Sequence, residues 1–195
     1  MPHDHDHHHH SHKAVHDKDT HDHHPGPDFR FCPKCGGTLT RQQFKAHEPH
    51  RRVCGSCAFI FYDDPKVAAC TIPVIDGKVV LLKRGIEPSY GKWVFPGGFL
   101  DRGEQVEAAA IRETWEEVNL KVRVSRLLNV YSYPGSPVII VYRARVTGGV
   151  LSPCPENDAQ EWMKPAEIPW GQLAFPSTRE ALREWVALRG EMPEA

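Results

Sequence analysis

Three glutamates within five residues carry the strongest chemical signal in this chain. Glu113, Glu116 and Glu117 are spaced i, i+3 and i+4, so in a helix their side chains share one face. Like charges at this spacing destabilise a bare helix by about 0.2–0.5 kcal/mol per pair. A divalent cation that bridges them reverses that cost, and carboxylate oxygens suit Mg²⁺ or Mn²⁺, which is held together with substrate phosphates. The alternative is an acidic face that water solvates.

The secondary-structure elements around these glutamates determine which other residues can lie close to them. The pattern predicts a helix over residues 105–118, preceded by a Pro-Gly-Gly turn at residues 96–98. The opposite face of this helix is small and apolar and suits burial: Val106, Ala109, Ala110 and Thr114. Asp76-Gly77 between two apolar runs predicts a hairpin. Strands are predicted over residues 67–75, 78–83, 93–95, 121–132, 137–146 and 161–164.

A second amphipathic helix is predicted near the end of the chain, over residues 177–188. Its apolar positions are Leu182, Trp185, Val186 and Leu188, and Ser177 is placed to cap it. A helix, a mixed sheet and another helix predict an α/β fold of three layers, which we assign to residues 64–195.

Four of the six cysteines form two C-x2-C pairs separated by eighteen residues. Cys32, Cys35, Cys54 and Cys57 therefore predict a four-thiolate zinc site in a small ribbon, which we assign to residues 29–63. A closed site of this kind leaves no open position for a substrate, so the zinc is structural. Basic residues between the pairs leave nucleic-acid contact as a second reading of the ribbon: Arg41, Lys45, Arg51 and Arg52.

Residues 1–28 have a composition of their own. They hold eleven of the thirteen histidines, interleaved with aspartates, and almost nothing apolar, so they are predicted to be disordered. Imidazoles at this density bind transition metals loosely. A native metal-binding tail and a purification tag both fit this pattern.

Overall composition narrows the possible partners. The 195 residues are 40% hydrophobic and 25% charged, with a formal net charge of −1, which suits a soluble globular protein without a polyanionic partner. Neither a membrane-spanning run nor a secretory leader is apparent. Paired cysteines of metal-binding spacing indicate a reducing compartment, so we expect the cytoplasm and no membrane partner.

The segment around the glutamates resembles the signature of the Nudix hydrolases, G-x5-E-x7-R-E-U-x-E-E-x-G-U, where U is bulky and apolar. Thr114 stands at a position for a larger aliphatic residue, and Asn119 stands where the signature has glycine. Asn tolerates the left-handed conformation that such a glycine adopts. The matching positions are Gly98, Glu104, Arg112, Glu113, Glu116, Glu117 and Leu120.

The resemblance implies a pyrophosphohydrolase that uses Mg²⁺ or Mn²⁺ to direct water at a phosphorus of a nucleoside diphosphate derivative. It implies that Glu116 and Glu117 are the main metal ligands and that Glu113 is a third ligand or the base. It also implies that the Gly97 carbonyl completes part of the coordination. Arg112 is expected to pair with Glu104 or Glu113 and hold the carboxylates. The base stays open, and later acidic residues are further candidates: Glu156, Asp158 and Glu161.

The flanking segments narrow the substrate. From residue 30 to 185 the chain looks like the ribbon-bearing ADP-ribose and FAD pyrophosphatases, sharing the runs at 64–66, 91–98, 112–117 and 173–175. The resemblance therefore favours ADP-ribose or FAD, cleaved to release AMP, and a homodimer. We expect Arg84 to contact phosphate, and Tyr133 and Phe175 to stack on the bases.

Two other functions remain open. NADH pyrophosphatases also carry a ribbon, but their S-Q-P-W-P-F-P-x-S segment is replaced here by the shorter run at 171–177, which lacks the tryptophan. The other alternative is a non-catalytic Nudix-fold regulator that binds ADP-ribose. Such regulators tend to lose signature carboxylates, and this chain keeps them.

Overall fold

The structure is a computed structural model that describes residues 29–152 and 154–188. Within these residues there are two sheets, of three and seven strands, and two α-helices. The predicted disorder of residues 1–28 lies outside the described residues. None of the helices described is long and apolar enough to cross a membrane.

The first sheet belongs to the cysteine-rich segment. Strands β1 (Leu39–Gln42), β2 (Arg51–Cys54) and β3 (Ile60–Phe61) pair antiparallel in that order. The first C-x2-C pair closes a tight turn in which the Cys32 amide donates to the Gly37 carbonyl at 2.8 Å. The core beneath this sheet is small, as a segment of this length requires.

The second sheet has the spatial order β10-β5-β4-β9-β8, with β6 paired to β5 and β7 paired to β4. The β4–β9 pair is parallel and the other pairs are antiparallel, which confirms the predicted mixed sheet. At the predicted hairpin, Asp76 and Gly77 both have positive φ, as a tight two-residue turn demands. The strands are β4 (Val67–Ile75), β5 (Lys78–Arg84), β6 (Trp93–Val94), β7 (Gly97–Phe99), β8 (Leu120–Tyr131), β9 (Val138–Gly149) and β10 (Asn157–Met163).

One helix covers each face of this sheet, so the predicted three-layer α/β/α arrangement is confirmed. Helix α1 (Val106–Val118) contacts β4, β7 and β8, and its Ala109 and Ala110 are fully buried. Helix α2 (Pro176–Ala187) packs on the other side through Leu182 and Trp185. The small alanine side chains let α1 approach the sheet closely, which fixes the height of its polar face.

Three local predictions differ from the structure. The Pro-Gly-Gly turn is partly strand, because Gly97–Phe99 pairs antiparallel with β4. The last strand begins at Asn157, because its pairing with β5 extends to Arg84. Helix α2 begins at Pro176, whose fixed φ suits the first helical position, and Ser177 is buried inside the helix instead of capping it.

Candidate active site

Helix α1 is attached to the sheet by a buried polar contact as well as by alanines. The hydroxyl oxygens of Thr71 on β4 and Thr114 on α1 are 2.6 Å apart, and both residues are fully buried. The Thr114 hydroxyl donates to the Ala110 carbonyl at 2.7 Å, so Thr71 must be the donor between the two threonines. This contact fixes α1 against β4, with Glu113 and Glu117 partly buried and Glu116 exposed.

Arg112 organises the carboxylates on that face. Its Nε and Nη2 donate to the two oxygens of Glu104 at 2.8 and 3.0 Å, a bidentate pair. Its Nη1 donates to Glu113 at 2.7 Å and to Glu116 at 3.1 Å, while Nη2 also reaches the Phe99 carbonyl at 3.3 Å. The guanidinium lowers the pKa of Glu104 to about 2, so this carboxylate is fully ionised at neutral pH.

Strand β7 lies against the same helix face, and its two glycines each allow a close contact. A Cβ at Gly98 would stand 2.5 Å from the Glu113 carboxylate, and one at Gly97 would stand 2.4 Å from Cys70 Sγ. The Gly97 amide donates to Glu117 Oε2 at 2.8 Å. The lack of a side chain at Gly98 therefore leaves room for the Glu113 carboxylate, whereas at Gly97 it lets β7 pack closely against Cys70 on β4.

The electrostatic setting of the three ligand candidates is not uniform. Burial raises the pKa of Glu117 to about 7, with Glu113 and Glu156 adding to the rise, while the Gly97 amide and Arg84 oppose it. Burial also raises the pKa of Glu113. The side chain of Glu116 is 55% exposed. Two partly buried carboxylates beside an exposed one form a site that disfavours its own negative charge.

The types of donor atom suit a hard divalent cation. Arg112 engages one oxygen each of Glu113 and Glu116, and the Gly97 amide engages one oxygen of Glu117. The second oxygen of each carboxylate is thus left to a further ligand. Oxygen donors alone suit Mg²⁺ or Mn²⁺ better than a softer metal.

Two predicted substrate contacts lie together beside this group. The guanidinium of Arg84 stands 5.3 Å from the centre of the Phe175 ring, and its Nε donates to the Pro88 carbonyl at 2.7 Å. The Ala174 amide donates to the Trp93 carbonyl at 2.8 Å, which attaches the segment before α2 to β6. The charge of Arg84 also opposes the rise in the pKa of Glu117, so the guanidinium acts electrostatically on this carboxylate.

Tyr133 lies elsewhere. It packs against the core on the α2 side of the sheet, and burial together with Glu180 and Glu184 raises its pKa to about 12. The structure therefore does not bring Tyr133 to Arg84 and Phe175.

The four cysteines meet in one place, as their spacing predicts. Their sulfur atoms lie within 4.8 Å of one another, with Sγ–Sγ distances of 3.3 Å (Cys35–Cys57), 3.5 Å (Cys35–Cys54) and 3.8 Å (Cys32–Cys57). A zinc–sulfur bond of about 2.3 Å gives tetrahedral sulfur edges of about 3.8 Å. The backbone amides of Cys57 and Ser56 lower the pKa of Cys54, which favours the thiolate that zinc binds.

Comparison with known proteins agrees with this geometry. The family description "NUDIX domain" matches residues 64–187, and the description "Nudix N-terminal", a zinc ribbon, matches residues 30–63. The chain belongs to the Nudix hydrolase family. A NUDIX hydrolase from Nitrosomonas europaea has a crystal structure that superposes with a TM-score of 0.80 at 34% identity, covering 86% of this chain and 96% of that one.

Named Nudix relatives fall into more than one group. An ADP-ribose pyrophosphatase from Methanocaldococcus jannaschii is 38% identical over 119 residues, covering 58% of this chain and 69% of the relative. An NAD-capped RNA hydrolase NudC from Vibrio parahaemolyticus is 29% identical over 153 residues, covering 75% of this chain. The chain spans 55% of that NudC protein's length.

The two departures from the Nudix signature have local explanations. At the position of the larger aliphatic residue, the Thr114 hydroxyl accepts a hydrogen bond from Thr71. Asn119 takes the glycine position with φ 54°, ψ 32°, the left-handed conformation expected there, and its amide donates to the Trp115 carbonyl. Its side chain adds a hydrogen bond to the Val150 carbonyl at 2.9 Å.

Sequence reasoning missed two side chains of this region. Asn157 Nδ2 and Gln160 Nε2, both on β10, donate to the Glu117 carbonyl at 3.1 and 2.6 Å. No motif marks them, because residues three apart face opposite sides of a regular strand. Of the later acidic candidates, Glu156 is the one that contributes to the pKa of Glu117.

Proposed function

We propose that this Nudix hydrolase cleaves the diphosphate bond of ADP-ribose or FAD and releases AMP. The choice of substrate rests on the 38% identity to an ADP-ribose pyrophosphatase, of which the chain covers 69%. The second product is ribose 5-phosphate from ADP-ribose or FMN from FAD. Action in the cytoplasm as a homodimer is part of the same proposal.

The polar groups on and beside α1 have different tasks in this mechanism. A bound Mg²⁺ or Mn²⁺ would neutralise the diphosphate and lower the pKa of the attacking water. Glu116, Glu117 and the Gly97 carbonyl would hold it, with Glu113 as third ligand or as base. Arg112 keeps the carboxylates in place, because its five N–H groups form a rigid fork that a flexible lysine does not reproduce.

Arg84 and Phe175 are proposed to contact the substrate. The Pro88 carbonyl holds only Nε of Arg84, so the two terminal nitrogens can donate to a phosphate as a pair. The Phe175 ring beside the guanidinium offers an apolar surface for a base, and such stacking contributes about 0.5–1.5 kcal/mol. The predicted stacking role of Tyr133 is not part of this proposal, since Tyr133 packs on the other side of the sheet.

An NAD-derived diphosphate is the second candidate. The NudC relative matches across 75% of the chain, more than the 58% matched by the ADP-ribose relative. A regulator that binds ADP-ribose without cleaving it is the third, and it requires that the carboxylates have no catalytic task.

Parallel turnover of ADP-ribose, FAD and NADH by the zinc-loaded full chain in millimolar Mg²⁺ tests the substrate. We expect kcat/KM for ADP-ribose or FAD to exceed that for NADH. A preference for NADH would instead support an NAD-derived diphosphate as the substrate. Binding of ADP-ribose without turnover would support a non-catalytic regulator.

Glu117→Gln tests the mechanism. We expect turnover to fall about a hundredfold or more, because a positioned ligand or base contributes on that order. The matched control is Glu107→Gln on the first turn of the same helix, at an exposed position. Unchanged turnover in Glu117→Gln would remove the role assigned to this carboxylate.

A further inference from the structure

The C-terminal end of helix α1 is held by two carboxamides from the sheet. Asn157 and Gln160 both donate to the backbone carbonyl of Glu117, at 3.1 and 2.6 Å. The last carbonyls of a helix have no partner within the helix, and each carbonyl oxygen accepts two hydrogen bonds. The Glu117 carbonyl therefore has both acceptor positions filled by residues of β10.

A bulge in β10 is what makes this arrangement possible. In the pairing with β5, Asn157 stands opposite Arg84 and Ala159 stands opposite Lys83, so Asp158 is the extra residue. Without the bulge, Asn157 and Gln160 would point to opposite faces of the sheet. The extra residue shifts the alternation by one, so that both carboxamides face α1. Bulges often re-aim side chains in this way beside active sites.

Glu117 is fixed at both ends by these contacts. Its carboxylate accepts from the Gly97 amide at 2.8 Å, and its carbonyl accepts from the two carboxamides. The hydrogen bond from the Gly97 amide restrains the direction of the Glu117 side chain. The hydrogen bonds from Asn157 and Gln160 restrain the position of the Glu117 backbone. The last turn of a helix frays when its carbonyls depend on water alone, and Glu117 lies in that turn.

We propose that Asn157 and Gln160 are positioning residues that set the distance of Glu117 from the other metal-binding carboxylates. The inference rests on the proposed role of Glu117 as a metal ligand. β10 pairs with β5, which ends at Arg84, so one pair of strands places both the guanidinium proposed to bind phosphate and the backbone of this ligand. Loss of the hydrogen bonds to the Glu117 carbonyl allows the last turn of α1 to move. The metal site is then weakened although every ligand is still present.

The positioning role is tested by measuring Mn²⁺ binding in the absence of substrate. Electron paramagnetic resonance detects the free ion and so gives the dissociation constant. The zinc-loaded full chain is compared with Gln160→Met and Asn157→Leu, which keep side-chain size but cannot donate. Glu117→Gln sets the baseline for ions bound elsewhere, including by the histidine-rich residues 1–28. We expect each variant to raise the Mn²⁺ dissociation constant about tenfold, the lower end of the range for outer contacts of a metal site.

Asn119→Gly is the matched control. It removes a hydrogen bond from the same helix end, to the Val150 carbonyl, but leaves the Glu117 carbonyl untouched, and glycine suits the left-handed backbone there. We expect its Mn²⁺ affinity to equal that of the unaltered chain. An equal weakening in Asn119→Gly would overturn the inference, because general loosening of the helix end would then explain the result.

The remaining outcomes are also decisive. Should Gln160→Met not fold, Asn157→Leu, which removes the longer bond, carries the test alone. Unchanged Mn²⁺ affinity in the folded carboxamide variants overturns the inference, as does unchanged affinity in Glu117→Gln. A chain that binds Mn²⁺ through Glu117 but cleaves no diphosphate would overturn the proposed function and leave the positioning role standing.

Discussion

Arg112 shows how one residue can hold a group of like charges together. It donates to three carboxylates and to one backbone carbonyl, so most of its hydrogen-bonding capacity is used within the site. The contact to Glu104 is bidentate, and Glu104 comes from the turn before α1. The arginine thus ties the entry of the helix to the carboxylates two turns later.

Glu104 gives this network a pH dependence. Its folded pKa of about 2 lies below the usual value of 4.5, because Arg112 binds the ionised form. The stabilisation is therefore fully present above the unfolded pKa and is lost as pH falls through the folded pKa. We expect Glu104→Gln to lower the urea midpoint near neutral pH, and the difference from the unaltered chain to shrink towards about pH 2. A difference that stays constant with pH would contradict this.

At the scale of elements, the contact between β4 and α1 depends on an ordered pair of hydroxyls. Thr71 donates to Thr114, which donates to the Ala110 carbonyl. Thr114→Val leaves the Thr71 hydroxyl buried without an acceptor, and such a loss costs about 1–3 kcal/mol. Thr71→Val leaves Thr114 bonded to Ala110, so we expect it to cost less.

The double variant completes a thermodynamic cycle on this pair, measured by urea unfolding. With both hydroxyls replaced by methyl groups of similar shape, no donor is left unsatisfied. We therefore expect the double variant to lose less stability than the sum of the single variants. Strict additivity would mean that the two threonines do not interact.

Elements with a local signal were predictable, and elements defined by distant pairing were less so. The Asp76-Gly77 hairpin and the alternation of the long strands follow from turn chemistry and periodicity. Strand β7 was missed because its pairing partner β4 lies some thirty residues earlier and glycines have no strand preference.

The same distinction applies to the site. The carboxylates on α1 share a helical face, so their spacing alone predicts that they cluster. The contribution of β10 depends on a bulge, which changes the alternation without any residue type that marks it. The packing of Tyr133 on the α2 side was equally hidden, since a loop residue carries no periodicity.

At the scale of the whole molecule, the two metal requirements should be separable. The ribbon buries only a few apolar side chains, so bound zinc must supply much of its folding free energy, and structural zinc contributes about 10–16 kcal/mol in small fingers. The Nudix domain has extensive cores of its own. We expect zinc chelation to unfold residues 29–63, detected as new proteolytic cleavage there, while Mg²⁺ removal stops turnover and leaves the cleavage pattern unchanged.

Cys54→Ser should reproduce the effect of chelation, because it removes one thiolate from the four that surround the metal. Cys154→Ser is the matched control, since this cysteine lies outside the cluster in the Nudix domain. Protection of residues 29–63 in zinc-free protein would contradict a structural role for the metal. Loss of the Nudix domain's own protection in Cys54→Ser would mean instead that the ribbon and the catalytic domain fold as one unit.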